Sequence, residues 1–171
     1  MRTRYFGWAL LSALVFTGTF VSPAASQGDV SAKLAVFKVL SSPDGKEVLE
    51  PTDQVKPGDL VEYRVVYRNT GKKQVKEVQA TLPIPTGMEY QGNTANPVVV
   101  RASADGKTFE RVPLRREVQL ANGGTEIQEV PYREYRFLLW DLASLAAGQE
   151  TTVRARAQVN PTGGLSVPEG R

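Results

Sequence analysis

The chain has 171 residues, a formal net charge of +3, no cysteine and no histidine. Without histidine there is no Ser-His-Asp or Cys-His catalysis and no usual zinc site, and without cysteine there is neither a disulfide nor a lipid-attachment thiol. A nucleic-acid-binding surface would call for a strong basic excess, which this near-balance of charges lacks.

Arg2 and Arg4 open the chain, Phe6 to Val21 carries no charge, and Pro23-Ala24-Ala25-Ser26 supplies small residues. Charged start, apolar middle and small-residue end form the pattern of a secretory signal peptide, with cleavage expected after Ser26. A permanent anchor fits less well. A spanning helix needs about 20 apolar residues, and Thr17, Gly18 and Thr19 interrupt this shorter run. The expected organisation is a signal peptide at 1–26, one domain at 27–160 and a Gly/Pro-rich tail at 161–171. Removing Arg2 and Arg4 lowers the net charge by two.

After a polar leader, Ala32 to Leu40 is β-prone and stops at Ser41-Ser42-Pro43-Asp44-Gly45, a strong turn signal. Leu60 to Arg68 is the clearest strand: Val61, Tyr63, Val65 and Tyr67 alternate with Glu62, Arg64, Val66 and Arg68. Pro57-Gly58-Asp59 leads in and Asn69-Thr70-Gly71 leads out. Val75 to Leu82 repeats the alternation, with Val78, Ala80 and Leu82 on one side, and Pro83 and Pro85 end its pairing. Met88 to Tyr90 reads as a short strand. Val98 to Ala102 and Thr108 to Val112 flank Asp105-Gly106, a hairpin signal because both positions tolerate positive φ. Tyr132 to Leu142 is an aromatic-rich strand, and Thr151 to Val159 alternates again. Leu142 to Ala147 is helix-friendly but long enough only for a turn. Short strands with turn residues between them predict an all-β, antiparallel sandwich of about seven to nine strands.

Several phrases, in order, resemble a known family. Val55-Lys56-Pro57-Gly58-Asp59, Val61-Glu62-Tyr63 and Tyr67-Arg68-Asn69-Thr70-Gly71 are similar to the opening of the bacterial surface repeat called domain of unknown function eleven. Val78 to Pro83 followed by Gly87 to Tyr90, then Trp140-Asp141-Leu142 with Leu145 to Gly148, and finally Thr151 to Val159, resemble its later segments. The match covers roughly Lys33 to Val159. It implies an immunoglobulin-like, Greek-key β-sandwich of exported and cell-surface proteins, with no enzyme activity and no catalytic residues. The chain departs from the pattern at Ala80-Thr81, where the family places an Asp, and in its single module. It departs again at Thr94 to Val130, which is longer and more charged than usual; added function is expected there.

Local motifs favour ordinary structure over chemistry. Ser103 to Phe109 resembles the Asp-box hairpin of sialidases but is one residue short and occurs once, so a plain Asp-Gly turn is expected. Asp44, Asp53, Asp59 and Asp141 do not form the clustered oxygen set that calcium needs. No catalytic, cofactor-binding or metal residue is therefore expected. Arg111, Arg115 and Arg116, with Arg101 and Lys107, make the insertion locally basic, and Glu110 and Glu117 balance them. Tyr132, Tyr135, Phe137 and Trp140 form the densest aromatic cluster; alternation predicts Tyr135, Phe137 and Leu139 on one face and Arg136, Leu138 and Trp140 on the other. Arg111, Arg115, Arg116, Tyr132 and Trp140 are the candidate partner contacts, with both aromatic sets in the core as the plainer alternative.

The expected function is an exported, non-enzymatic module of the cell envelope or surface. It would bind an envelope protein or copies of itself, in periplasm, surface or medium. The segment before Lys33 is a candidate to add to a neighbour's sheet edge. The alternatives are a soluble binding protein for carbohydrate or another ligand, marked by a concave aromatic pocket, and an enzyme or enzyme subunit, marked by a buried carboxylate pair.

Overall fold

The structure, a computed structural model, describes residues 29–161. The expected signal peptide at 1–26 and all but the first residue of the expected tail lie outside the described residues. Among the described residues no helix is long and apolar enough to cross a membrane.

The described chain is all-β and antiparallel. One sheet has five strands: β1 (Val30–Ser41), β2 (Glu47–Pro51), β3 (Leu60–Asn69), β6 (Met88–Tyr90) and β13 (Glu150–Val159), in the order β2-β1-β3-β13-β6. A second sheet has four: β5 (Gln79–Pro83), β7 (Arg101–Ser103), β8 (Glu110–Arg111) and β11 (Phe137–Asp141), in the order β5-β11-β7-β8. Two short ladders join β4 (Val75–Lys76) to β12 (Ser144–Leu145) and β9 (Arg115–Gln119) to β10 (Thr125–Glu129). The core lies between the two larger sheets. Val61, Val65, Val153 and Ala155 come from the first, and Ala80, Leu82, Ala102, Leu138 and Trp140 from the second.

The alternation of β3 decides this arrangement. Val61, Val65, Tyr67 and Asn69 are buried on its inner side, and β13 pairs alongside with Val153 opposite Val65 and Ala157 opposite Val61. A shift of one residue would turn every one of these side chains outward, so burial fixes the register. At the end of β3, Asn69 is fully buried and its side chain is completely used. Its amide donates to the carbonyls of Lys73 (2.7 Å) and Leu145 (2.9 Å), and its oxygen accepts from the Gly71 amide (2.9 Å). The turn residue expected from sequence is thus a clamp that holds the 70–74 loop and β12 onto the end of the sheet.

Four expectations need correcting. The Val75–Leu82 strand is broken, because Glu77 takes a positive φ of 54° and divides β4 from β5; Val78, Ala80 and Leu82 still face the core. The aromatic segment does not begin as a strand. Tyr132–Glu134 is one 3-10 turn, and β11 starts at Phe137. Val98 and Val99 precede β7 as exposed loop residues. Ser144–Leu145 pairs with β4 as a short strand where a turn was expected. The strand β2, which lies along the second half of β1, had no clear sequence signal.

Replacing Asn69 with Ala leaves the Leu145 carbonyl unpaired in a buried site and releases the Lys73 carbonyl and Gly71 amide at its part-buried rim. We expect a loss of about 2–3 kcal/mol, measured by urea denaturation with an unchanged m-value.

Candidate interaction surfaces

The sequence-derived contact residues do not converge. Trp140 is 1 % exposed and its indole N–H donates to the Pro97 carbonyl at 2.8 Å, so the loop 95–100 seals it into the core. This is the loop-covered core alternative, and it removes Trp140 from any contact surface. Tyr132 is partly buried in a trio with Tyr90 and Tyr135, edge-on to both at centroid distances of 5.3 and 5.2 Å. Gly92 makes room for it: a Cβ there would lie 2.5 Å from the Tyr132 ring. The expected face-sharing of Tyr135 with Phe137 fails because Tyr135 precedes the strand. Its fully buried hydroxyl accepts the Leu114 amide at 2.7 Å, whereas Phe137 packs edge-on with Phe109 at 6.4 Å.

Arg111 and Arg115 flank one hollow of about 340 Å³ beside Val112 and Pro113. Arg116 instead reaches Glu134 at 2.7 Å and ties the hairpin base to the 3-10 turn. The segment from Thr94 to Val130 builds two things. Its first part covers Trp140 and forms β7 and the edge strand β8; its second part is the β9–β10 ribbon. From Arg115 to Glu129 every residue except the half-buried Val118 is exposed. The ribbon is tied down at its base, where the Val130 amide donates to the Leu114 carbonyl at 2.9 Å. Beyond Arg116 it carries Glu117 and Glu126, no cation, and an Ile127 that is 63 % exposed.

A second surface was invisible as a site in the sequence. The five-stranded sheet is wider than the sheet it packs on, so β1 and β2 overhang. Leu34 pairs with Val65 and Val48 with Leu40, which puts both on the core side of their sheet, yet they are 53 % and 49 % exposed. Tyr67 marks the boundary. It donates its hydroxyl to the Thr81 carbonyl of β5 (3.2 Å) and closes the core just inboard of Ala32. Outboard, a cleft of about 580 Å³ is lined by Val30, Ala32, Tyr67 and Val78 with Lys73 and Lys76 on its rim.

On the opposite face of the same sheet lies a charge network. Glu62 sits at an outward position of β3, where solvent was expected, but is 2 % exposed. Arg64 donates to it at 2.6 Å and Arg156 at 3.0 Å, and Glu47 grips Arg156 through two further bonds of 2.9 and 2.8 Å. Arg64 also lies 4.9 Å over the Phe37 ring. Burial pushes the Glu62 carboxyl upward, and the two arginines more than reverse this, holding it below its ordinary range. The group has a structural meaning: it staples β2, β1, β3 and β13 together. Its sequence signal was the pair of outward alternations Glu62/Arg64 and Arg154/Arg156, which acquires meaning only once β3 and β13 are paired.

Four of the aspartates have definite partners. Asp105 accepts from the amides of Lys107 (2.8 Å) and Thr108 (2.9 Å) and from the Ser103 hydroxyl (2.9 Å), and these bonds lower its carboxyl to about 2. This is the Asp-Gly turn expected from sequence. Asp44, Asp59 and Asp141 are paired with Lys46, Lys38 and Arg101 respectively, at 2.8–3.0 Å. Among the described residues no group of three His, Cys, Asp or Glu could hold a metal ion. The chain matches no family model, no curated protein and no solved structure.

Two predictions follow the charges. Glu62→Gln leaves Arg64 and Arg156 facing a neutral amide, and the expected loss is about 1–3 kcal/mol by chemical denaturation. Glu62 and Asp105 both have folded pKa values below their unfolded ones. Each therefore adds stability that is fully present above about pH 5 and is lost as pH falls through the folded value, near 2 for Asp105. Melting temperature should fall between pH 5 and pH 2, and Asp105→Asn, which keeps an acceptor oxygen but cannot titrate, should flatten the lower part of that slope.

Proposed function

We propose that this chain is an exported, non-enzymatic module with an immunoglobulin-like sandwich, related to the domain of unknown function eleven family. It works at the cell envelope or surface by joining proteins to one another. The observation that carries this reading is the β9–β10 ribbon, whose exposed residues stand clear of the core. A two-stranded hairpin is marginal in water by itself, and a ribbon with a bare isoleucine becomes better satisfied on a partner's surface. The alternation of the strands, the ordered family-like phrases and the signal-like start support the same reading. The aromatic residues support it indirectly, since Tyr90, Tyr135 and Trp140 are each at most 2 % exposed and committed to the core.

The test is crosslinking on intact cells, followed by fractionation and mass spectrometry of the adducts. Discrete crosslinks to itself or to one envelope protein, through peptides of the 115–129 ribbon, are expected. A free monomer in periplasm or medium, with no adduct at any crosslinker length, sinks the proposal.

A further inference from the structure

The four-stranded sheet ends at β5 and leaves parts of β1 and β2 in the facing sheet uncovered. Backbone bonds from Leu142 to Val78 and from Ile84 to Arg136 bracket the β5–β11 ladder. Residues 78, 80, 82 and 84 therefore bond to β11, and Gln79 and Thr81 turn their backbone groups away from it. The Thr81 carbonyl is taken by Tyr67, and Pro83 has no amide to offer. What remains at the free edge of β5 is the amide and carbonyl of Gln79, the amide of Thr81 and the carbonyl of Pro83. Ala32 lines the same cleft as Gln79, and Leu34 follows it on the same side of β1, forming an apolar ledge beside this edge. An added strand at this edge would gain backbone partners and cover the ledge together.

The chain carries an element of matching chemistry on its other side. The ribbon follows β8, which is the edge of its sheet farthest from β5, and packs through Tyr135 and Leu114 toward β6, which is the edge farthest from β2. Ledge and ribbon therefore lie at opposite edges of the sandwich. The ribbon presents Ile127 with Glu117 directly opposite it and Glu129 two residues along on the same face. The cleft beside the ledge is lined by Lys73 and Lys76 against Asp29 and Glu77, with the exposed Lys72 next in the chain, and among the described residues none of these lysines forms an ion pair.

The geometry points to a second copy of this chain as the occupant: the β9–β10 ribbon of one copy docks at the β5 edge of the next, with Ile127 over Ala32 and Leu34 and its glutamates toward the lysines. This rests on the module reading above and names its partner. Because the two surfaces are different and lie at opposite edges, the contact is heterologous, and repetition produces an open chain of modules rather than a closed dimer. The segment before Lys33 is not the donor, since Val30 to Lys33 already pairs with Asn69 to Val66 of its own β3.

The absence of cysteine makes the test direct. Leu34 and Ile127 are both exposed, so substitution at either leaves the core intact, and circular dichroism with thermal melts checks that it has. In the full chain, the double variant Leu34→Cys/Ile127→Cys should oxidise to a ladder of dimers, trimers and longer species. Each single variant should stay monomeric under the same oxidation, and an equal mixture of the two should stop at dimer. By sedimentation, Ile127→Asp should weaken self-association at least about tenfold, roughly what loss of one buried aliphatic side chain implies. Glu117→Lys/Glu129→Lys should weaken it as well, and should regain it when mixed with Lys72→Glu/Lys73→Glu/Lys76→Glu. Self-crosslinking of a single variant would show a symmetric contact and overturn the inference. A monomeric double variant would also overturn it. If ribbon peptides then still crosslink to a different envelope protein on cells, the module reading stands with a foreign partner; if they crosslink to nothing, both fall.

Discussion

The pairing of β3 with a neighbour on each side governs most of this molecule. Its inner residues must be apolar and its outer ones polar, and any slip in register would exchange the two. That demand places Val61, Val65 and Tyr67 against the second sheet, and it puts Glu62 and Arg64 beside Arg154 and Arg156 of β13 on the other side. The outer face is held by charge-assisted hydrogen bonds under a cover of arginine side chains, the inner face by apolar burial. Asn69 then ends the strand by satisfying three backbone groups of the loops that leave it.

From the same geometry comes the unequal width of the two sheets. Two strands flank β3 on the β2 side, while the opposing sheet stops at β5, so an apolar strip of β1 and β2 has no cover. Edge strands invite pairing, and proteins blunt the edges they do not use. Here Pro83 and the Tyr67–Thr81 bond blunt part of the β5 edge and leave the rest open. Lys73 and Lys76, beside Asp29 and Glu77, keep that opening soluble. The ribbon on the far side carries Glu117 and Glu126 beyond its arginine base.

The local turns serve this layout more than they serve chemistry. Asp105 gathers two backbone amides and the Ser103 hydroxyl, which fixes the path from β7 to β8 and so the starting point of the ribbon. The hydroxyl of Tyr135 takes the Leu114 amide at the point where the ribbon leaves the body, and Tyr90 and Tyr132 pack around it. The densest aromatic cluster is thus the anchor of the projecting arm.

The amino-acid sequence by itself determined the all-β class, the inner and outer sides of β3 and β13, the Asp-Gly turn and the absence of histidine and cysteine chemistry. These follow from period-two alternation and from residue types, which are local properties. Sequence also marked the charged stretch between Thr94 and Val130, though not its division into a cover for Trp140 and a free ribbon. Tertiary structure alone decided that Glu62 is buried, that Tyr135 leaves its strand for the core, that Trp140 is sealed, and that Leu34 and Val48 face inward yet remain uncovered. Each of these depends on which strand lies beside or across from which. Alternation assigns a residue to a side of its sheet, but only the number of strands in the opposing sheet settles whether that side has anything to pack against.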